Sequence, residues 1–193
     1  MDEPLASSTG SRDALDLQLL SRVANHDRDA FRELYIAYHR RLSRFLMRLT
    51  KRYELTEEII NDTLWVVWQH AGSFRHESRV STWIMGIAYR RMLKALRHIQ
   101  PPGVHLVALD EAQQLSNDEP AIAEQHQWIL HGLAQLPLEQ RLVLEFAYDL
   151  GHSCEEIAAI MDCPVNTVKT RLFHARRKLR QILPELAGAA RHD

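Results

Sequence analysis

The side chains best placed to do chemistry in this sequence are cations. From position 164 to 180 stand Lys169, Arg171, Arg176, Arg177, Lys178 and Arg180, with no acid among them. A second acid-free row is Arg90, Arg91, Lys94 and Arg97. Rows of this kind attract phosphates and release counterions; they bind a polyanion but make no bond. Asn166, Thr167, Lys169, Thr170 and Arg171 would project from the N-terminal end of a helix, the part that reaches base edges in a DNA major groove. A bidentate Arg or Lys contact to guanine there is worth ~1–3 kcal/mol of discrimination. Arg176, Arg177, Lys178 and Arg180 lie further along, where phosphate contacts add affinity without sequence information. Phe74 and Trp83 are flat groups on which unpaired bases can stack, with Arg75 and Arg79 as cations beside the backbone. Core packing is the competing role for Trp83, which falls on the same side as Ile84 and Ile87.

Other chemistries lack their parts. There is no phosphate-cradling Gly loop, nucleophile elbow or HExxH pattern. His152, Cys154 and Cys163 are neighbours in sequence, but thiols nine positions apart do not match paired zinc-ligand spacing. The expectation is a non-enzyme without cofactor or metal.

The elements that position these residues are helical. Phe31, Leu34, Tyr38, Leu42, Phe45 and Leu49 recur at steps of three and four, one face of a helix, with Arg32, Arg40, Arg41, Arg44 and Arg48 on the wet side. Thr56 is the expected cap of a second helix, whose apolar face is Ile59, Ile60, Thr63, Leu64, Val67 and Trp68. A third runs from about Ser81 to Ile99, burying Ile84, Ile87, Ala88, Met92, Ala95 and Ile99 and turning Arg90, Arg91, Lys94 and Arg97 outward. Four more helices are expected beyond the middle of the chain: about Ala123 to Ala134, Leu138 to Asp149, a short one after the capping box Ser153-Cys154-Glu155-Glu156, and one starting at Pro164. The last carries Val168, Leu172, Ala175, Leu179 and Ile182 inward. A capped short helix, a tight turn and a cation-faced helix make a helix-turn-helix. With 7 Gly and 7 Pro in 193 residues, little material remains for a turn-rich β fold. The expected class is all-α: two small helical domains joined by a flexible linker, the C-terminal one a helix-turn-helix.

Net charge is −1, but unevenly spread. Residues 98–124 hold Asp110, Glu111, Asp118, Glu119 and Glu124 with no Lys or Arg, and include Pro101, Pro102, Gly103 and Pro120. That stretch is the expected linker. The organisation is therefore a tail over 1–15, a basic domain over 16–99, an acidic linker over 100–124, a second domain over 125–183 and a tail over 184–193. No segment approaches the ~20 apolar residues of a membrane span. The opening MDEPLASSTGSRDALD is not a secretory signal, and two cysteines suit a reducing compartment, so a cytoplasmic location is expected.

LPLEQRLVLEFAYDLGHSCEEIAAIMDCPVNTVKTRLFHARRKLRQIL resembles the C-terminal promoter-binding domain of extracytoplasmic-function (ECF) sigma factors. DAFRELYIAYHRRL, TEEIINDTLWVVW and SFRHESRVSTWIMGIAYRRMLKALR resemble the family's other domain. The resemblance implies a protein that binds core RNA polymerase through the β′ clamp helices and the β flap, directs it to promoters and helps open the duplex. Ser153–Lys178 would read the −35 element as duplex, through Asn166, Thr167, Lys169, Thr170, Arg171, Arg176, Arg177 and Lys178. Phe74, Arg75, Arg79, Trp83, Arg90, Arg91, Lys94 and Arg97 would hold the −10 element as a single strand. Asn61, Asp62 and Trp65 would face the polymerase, and an anti-sigma factor is the expected regulator.

Three positions depart from the family pattern. Arg90 stands where Asn is common and Lys94 where an acid is common, so the family's −10 base preference does not carry over. Asp162 replaces a frequent Gly in the helix-turn-helix turn, a left-handed position that Asp tolerates. The acidic linker suits a nucleic-acid channel in the polymerase and equally a plain solvated tether. Two rivals remain at the level of residues. One is a conventional helix-turn-helix regulator whose first half senses or dimerises; the other is an interaction module with no nucleic-acid partner.

Overall fold

The computed structural model describes the backbone of residues 5–99 and 131–189. The linker expected over 100–124 and most of the helix expected from Ala123 to Ala134 lie outside the described residues; 131–134 are helical. All regular elements among the described residues are helices, in two compact units.

The first unit contains α1 (Leu5–Ala24), α2 (Arg28–Thr50), α3 (Tyr53–His70) and α4 (Val80–Ile99). α2 starts where Asp27 accepts the backbone N–H groups of Asp29 and Ala30 at 2.9 and 3.0 Å. It ends at Lys51, left-handed at φ 52°, whose N–H returns to the Met47 carbonyl. The expected faces then meet. Leu34, Tyr38, Leu42, Phe45 and Leu49 of α2, Ile59, Ile60, Leu64 and Val67 of α3, and Ile84, Ile87, Ala88 and Met92 of α4 are all buried. Phe31 and Trp68 are only half-buried, because they sit at the open end of the α2–α3 seam with rings 5.0 Å apart.

Three expectations about this unit are corrected. The stretch expected as a tail over 1–15 is helical from Leu5: α1 is pinned by Leu20 and Val23 in the core and by the buried Asp16, which accepts the Tyr38 hydroxyl. Thr56 does not cap α3. The helix begins at Tyr53, and Thr56 is wholly buried one turn in, its hydroxyl 2.8 Å from that of Thr50. Ala95 is half-buried, and Leu96 takes the inward position beside it.

The second unit contains residues 131–134, α5 (Leu138–Leu144) widening into a π-type turn over Glu145–Asp149, most of α6 (Cys154–Met161), and α7 (Val165–Ala189). Its core is Leu138, Leu142, Val143, Phe146, Ile157, Ala158, Val168, Leu172 and Ala175. Gly151 has φ 69°, so the chain leaves the π turn through a backbone shape that L side chains rarely adopt. The capping box is present: Glu156 N–H donates to Ser153 Oγ at 3.2 Å and Ser153 N–H to Glu156 Oε2 at 2.8 Å. Asp162 is left-handed at φ 51°, and its N–H closes α6 on the Ala158 carbonyl. Pro164 stands just outside α7 rather than as its first residue; its carbonyl accepts the N–H groups of Thr167 and Val168. α7 also continues through Pro184 to Ala189, past the start of the expected tail at 184.

Burial holds the Asp16 carboxyl above its usual pKa, against the lowering effects of the Tyr38 hydroxyl and Arg41. The folded state therefore binds this proton at higher pH than the unfolded chain does. Ionised Asp16 opposes folding at neutral pH, and its contribution becomes more favourable as pH falls through the folded value. Asp16→Asn keeps an acceptor for Tyr38 without the charge. Its melting temperature at pH 7 should equal or exceed that of the parent, with a flatter pH dependence on acidification. Asp16→Ala strands the buried Tyr38 hydroxyl and should cost about 1–3 kcal/mol in denaturant titration.

Candidate nucleic-acid interface

Because one stripe of α7 is buried through Val168, Leu172 and Ala175, the opposite stripe is left to solvent. Asn166, Lys169, Thr170, Phe173 and Arg177 are exposed along it at helical spacing. Thr170 turns its hydroxyl back to the Asn166 carbonyl at 2.9 Å. Thr167 and Arg171 do not project fully; both are half-buried on the flank. Arg171 Nη2 donates to Glu139 Oε2 of α5 at 2.6 Å, and Nη1 lies 3.7 Å from Cys163 Sγ. The cations further on are also partly engaged: Arg176 covers the Tyr148 ring at 5.5 Å and Lys178 donates to the Gln135 carbonyl at 2.7 Å. Glu155 is held below its usual pKa by its own backbone N–H and the Ser153 hydroxyl, with Lys169 adding attraction. Phe173, 62% exposed between Thr170 and Arg177, joins this face although the charge pattern does not point to it. Its spacing of three and four from those residues was the available signal.

In the first unit, the apolar side of α4 fixes where its cations point. Arg90, Lys94 and Arg97 form an exposed row, while Arg91 is half-buried with Nη1 3.5 Å from Asp62 Oδ2 of α3. Arg79, just ahead of α4, lies 3.7 Å from Asp13 of α1. Acids absent from α4's own sequence are thus supplied by neighbouring helices. Phe74 and Trp83 are brought together, ring centres 5.4 Å apart and both half-buried, so Trp83 is neither core nor fully free. His76, at left-handed φ 60°, sets its ring against Phe74 at 5.0 Å; Arg75 beside it is exposed.

The expected docking residues lie on the outer side of α3. Asn61 and Asp62 are exposed and Trp65 is 57% exposed. Trp65 and Trp68 line an open cavity of about 590 Å³ with Arg28, Phe31, Arg32 and Tyr35. Among the described residues, no cluster of three or more His, Cys, Asp or Glu could hold a metal ion, and no helix is long and apolar enough to cross a membrane.

Residues 34–100 match the family model for sigma-70 region 2, and residues 126–179 match sigma-70 region 4. The ECF RNA polymerase sigma factor SigM of Mycobacterium tuberculosis is 31% identical over 183 residues, covering 93% of this chain and 90% of SigM. The chain belongs to the ECF sigma factor family. The ECF sigma-E factor of Salmonella typhimurium is 28% identical over 181 residues, covering 88% of this sigma factor and 94% of its relative. The sigma factor RpoE of Bartonella quintana, solved in complex with the anti-sigma factor NepR, superposes with a TM-score of 0.57 at 28% identity, covering 80% and 96% of the two chains. CnrH, solved with the cytosolic domain of CnrY, shares the fold at a TM-score of 0.67 and 19% identity, covering 89% and 98%. As an ECF sigma factor, this protein is a transcription initiation factor working with RNA polymerase and promoter DNA, and such factors are not themselves enzymes. The rival regulator with a sensing first half is not favoured, since that half matches sigma-70 region 2.

The capping box orders the entry into the helix-turn-helix. Ser153→Ala removes the acceptor for Glu156 N–H and should destabilise the second unit by about 1 kcal/mol. Chemical denaturation followed by signals from that unit would measure it, and Ser153→Asp should restore most of the loss.

Proposed function

We propose that the outer face of α7 reads the −35 element as duplex and that the α4 row with the loop before it captures the −10 element as single strand. The observation that carries this reading is the pair of exposed cationic faces, each backed by a buried apolar stripe of the same helix. On α7, Asn166, Lys169, Thr170 and Phe173 are the residues for base edges, with Phe173 suited to a thymine methyl. Arg176, Arg177 and Lys178 take phosphates. Arg171 joins them when DNA displaces Glu139. In the first unit Phe74 and Trp83 supply stacking surface, and Arg75, Arg79, Arg90, Arg91, Lys94 and Arg97 the cations. Asn61, Asp62 and Trp65 dock on the β′ clamp helices, and the second unit meets the β flap. An anti-sigma factor holds the protein in the cytoplasm until its signal arrives. The solved complex of the similar Bartonella sigma factor supports that regulation.

Run-off transcription with core polymerase on genomic fragments tests the whole reading. The protein should confer defined start sites on core enzyme that has no other sigma factor; failure to do so overturns it. Lys169→Ala with Arg171→Ala should abolish −35-dependent initiation. With about five phosphates neutralised, log K for −35 duplex should fall with log salt at a slope of roughly −4 to −5. Glu139→Gln releases Arg171 from a surface ion pair, so −35 affinity should rise roughly two- to fivefold in a filter-binding titration. Recovery of polymerase subunits alone from unstressed cells would count against the anti-sigma partner.

A further inference from the structure

α2 and α3 are joined by only Lys51 and Arg52, so α3 returns alongside α2. Tyr35 and His39 are four apart on α2, and Glu57 and Asn61 four apart on α3. Each pair therefore shares a helix face, and the two faces meet across the seam. His39 Nε2 is 3.1 Å from Glu57 Oε2. The His39 ring stacks on Tyr35 with centres 5.5 Å apart and an interplanar angle of 25°. The Tyr35 hydroxyl donates to Asn61 Oδ1 at 3.0 Å. The other Glu57 oxygen, Oε1, is buried and has no hydrogen-bond partner among the described residues, so His39 is the donor on which this carboxylate depends.

The direction of the chain of contacts is set by chemistry. Burial raises the Tyr35 pKa, and the nearby Glu57 and Tyr53 raise it further. Tyr35 therefore stays protonated, so its hydroxyl has a proton to donate to Asn61 Oδ1. With Oδ1 accepting from Tyr35, the Asn61 amide N–H₂ group is left for other partners. Without that bond, the exposed Asn61 amide can flip or rotate. Trp65, one turn on from Asn61, stands exposed, and the adjacent Asp62 turns to Arg91 of α4.

We propose that Tyr35 and His39 are positioning residues that preset Asn61 to present amide donors to core RNA polymerase. Glu57 anchors His39, His39 holds the Tyr35 ring by stacking, and Tyr35 holds Asn61. This rests on the docking role assigned to Asn61 above. Preset donors lower the ordering cost of association, so the gain is in affinity.

A double-mutant cycle on core-polymerase affinity tests this, using full-length protein and competition against a labelled sigma factor. Tyr35→Phe keeps the stacked ring and loses only the hydroxyl. It and Asn61→Ala should each weaken binding by about three- to tenfold. If Tyr35 acts through Asn61, Tyr35→Phe should add nothing in the Asn61→Ala background. His39→Leu should weaken binding as Tyr35→Phe does, and His39→Phe, which keeps a ring stacked on Tyr35, should recover most of it. An unchanged affinity for Tyr35→Phe, or effects of Tyr35→Phe and Asn61→Ala that simply add, overturns the proposal. Trp65→Ala separates the two levels. If it weakens binding while the Tyr35 effect is absent or additive, the relay fails and the docking face stands. If neither Trp65→Ala nor Asn61→Ala weakens binding, the docking face fails and the relay falls with it.

Discussion

Apolar packing of α2, α3 and α4 around Tyr38, Phe45, Ile60, Leu64, Ile84 and Met92 is the interaction from which the rest of the first unit follows. A helix with one buried stripe has its other stripe assigned to solvent by geometry. Burying Ile84, Ala88 and Met92 turns Arg90, Lys94 and Arg97 outward, and burying Ile60, Leu64 and Val67 leaves Asn61 and Trp65 on the wet side of α3. The same logic operates in the second unit, where Val168, Leu172 and Ala175 hold α7 so that Asn166, Lys169 and Thr170 face out. In both units, core packing sets which cations and polar groups face outward.

Charge is balanced locally by acids from other helices. Glu139 holds Arg171, Asp62 holds Arg91 and Asp13 holds Arg79. Partly exposed pairs of this kind contribute modestly to stability. They order long side chains at modest cost, and a polyanion with several phosphates can displace them. Arg90, Lys94 and Lys169 are exposed cations on the same surfaces. Each surface thus combines exposed charge with charge held in ion pairs. Asp62 has a place in two surfaces: it lies on the expected docking face of α3 while its carboxylate meets Arg91 of the α4 row.

Much of the fold was legible in the linear pattern because helical spacing is local. The faces of α2, α3 and α7, the Ser153 capping box and the left-handed Asp162 turn all depend on residues within one or two turns of each other. α1 was not legible. Its inward residues Asp16, Leu20 and Val23 include a carboxylate, which breaks the apolar pattern and makes sense only beside the Tyr38 hydroxyl. Thr56 has the chemistry of a cap, yet Thr50 draws its hydroxyl into the core.

The order of residues alone determined that this chain is helical, that its cations fall on faces opposite apolar stripes, and which family it resembles. Each of these depends on composition or short-range spacing, which the backbone converts directly into a face. Tertiary structure alone decided which cations are exposed and which are held by acids of other helices, that Phe74, His76 and Trp83 form one aromatic group, and that Glu57, His39, Tyr35 and Asn61 form one line of contacts. Those pairings join residues on different helices or across a turn, at distances set by how the helices pack, and no periodicity within a single helix encodes them.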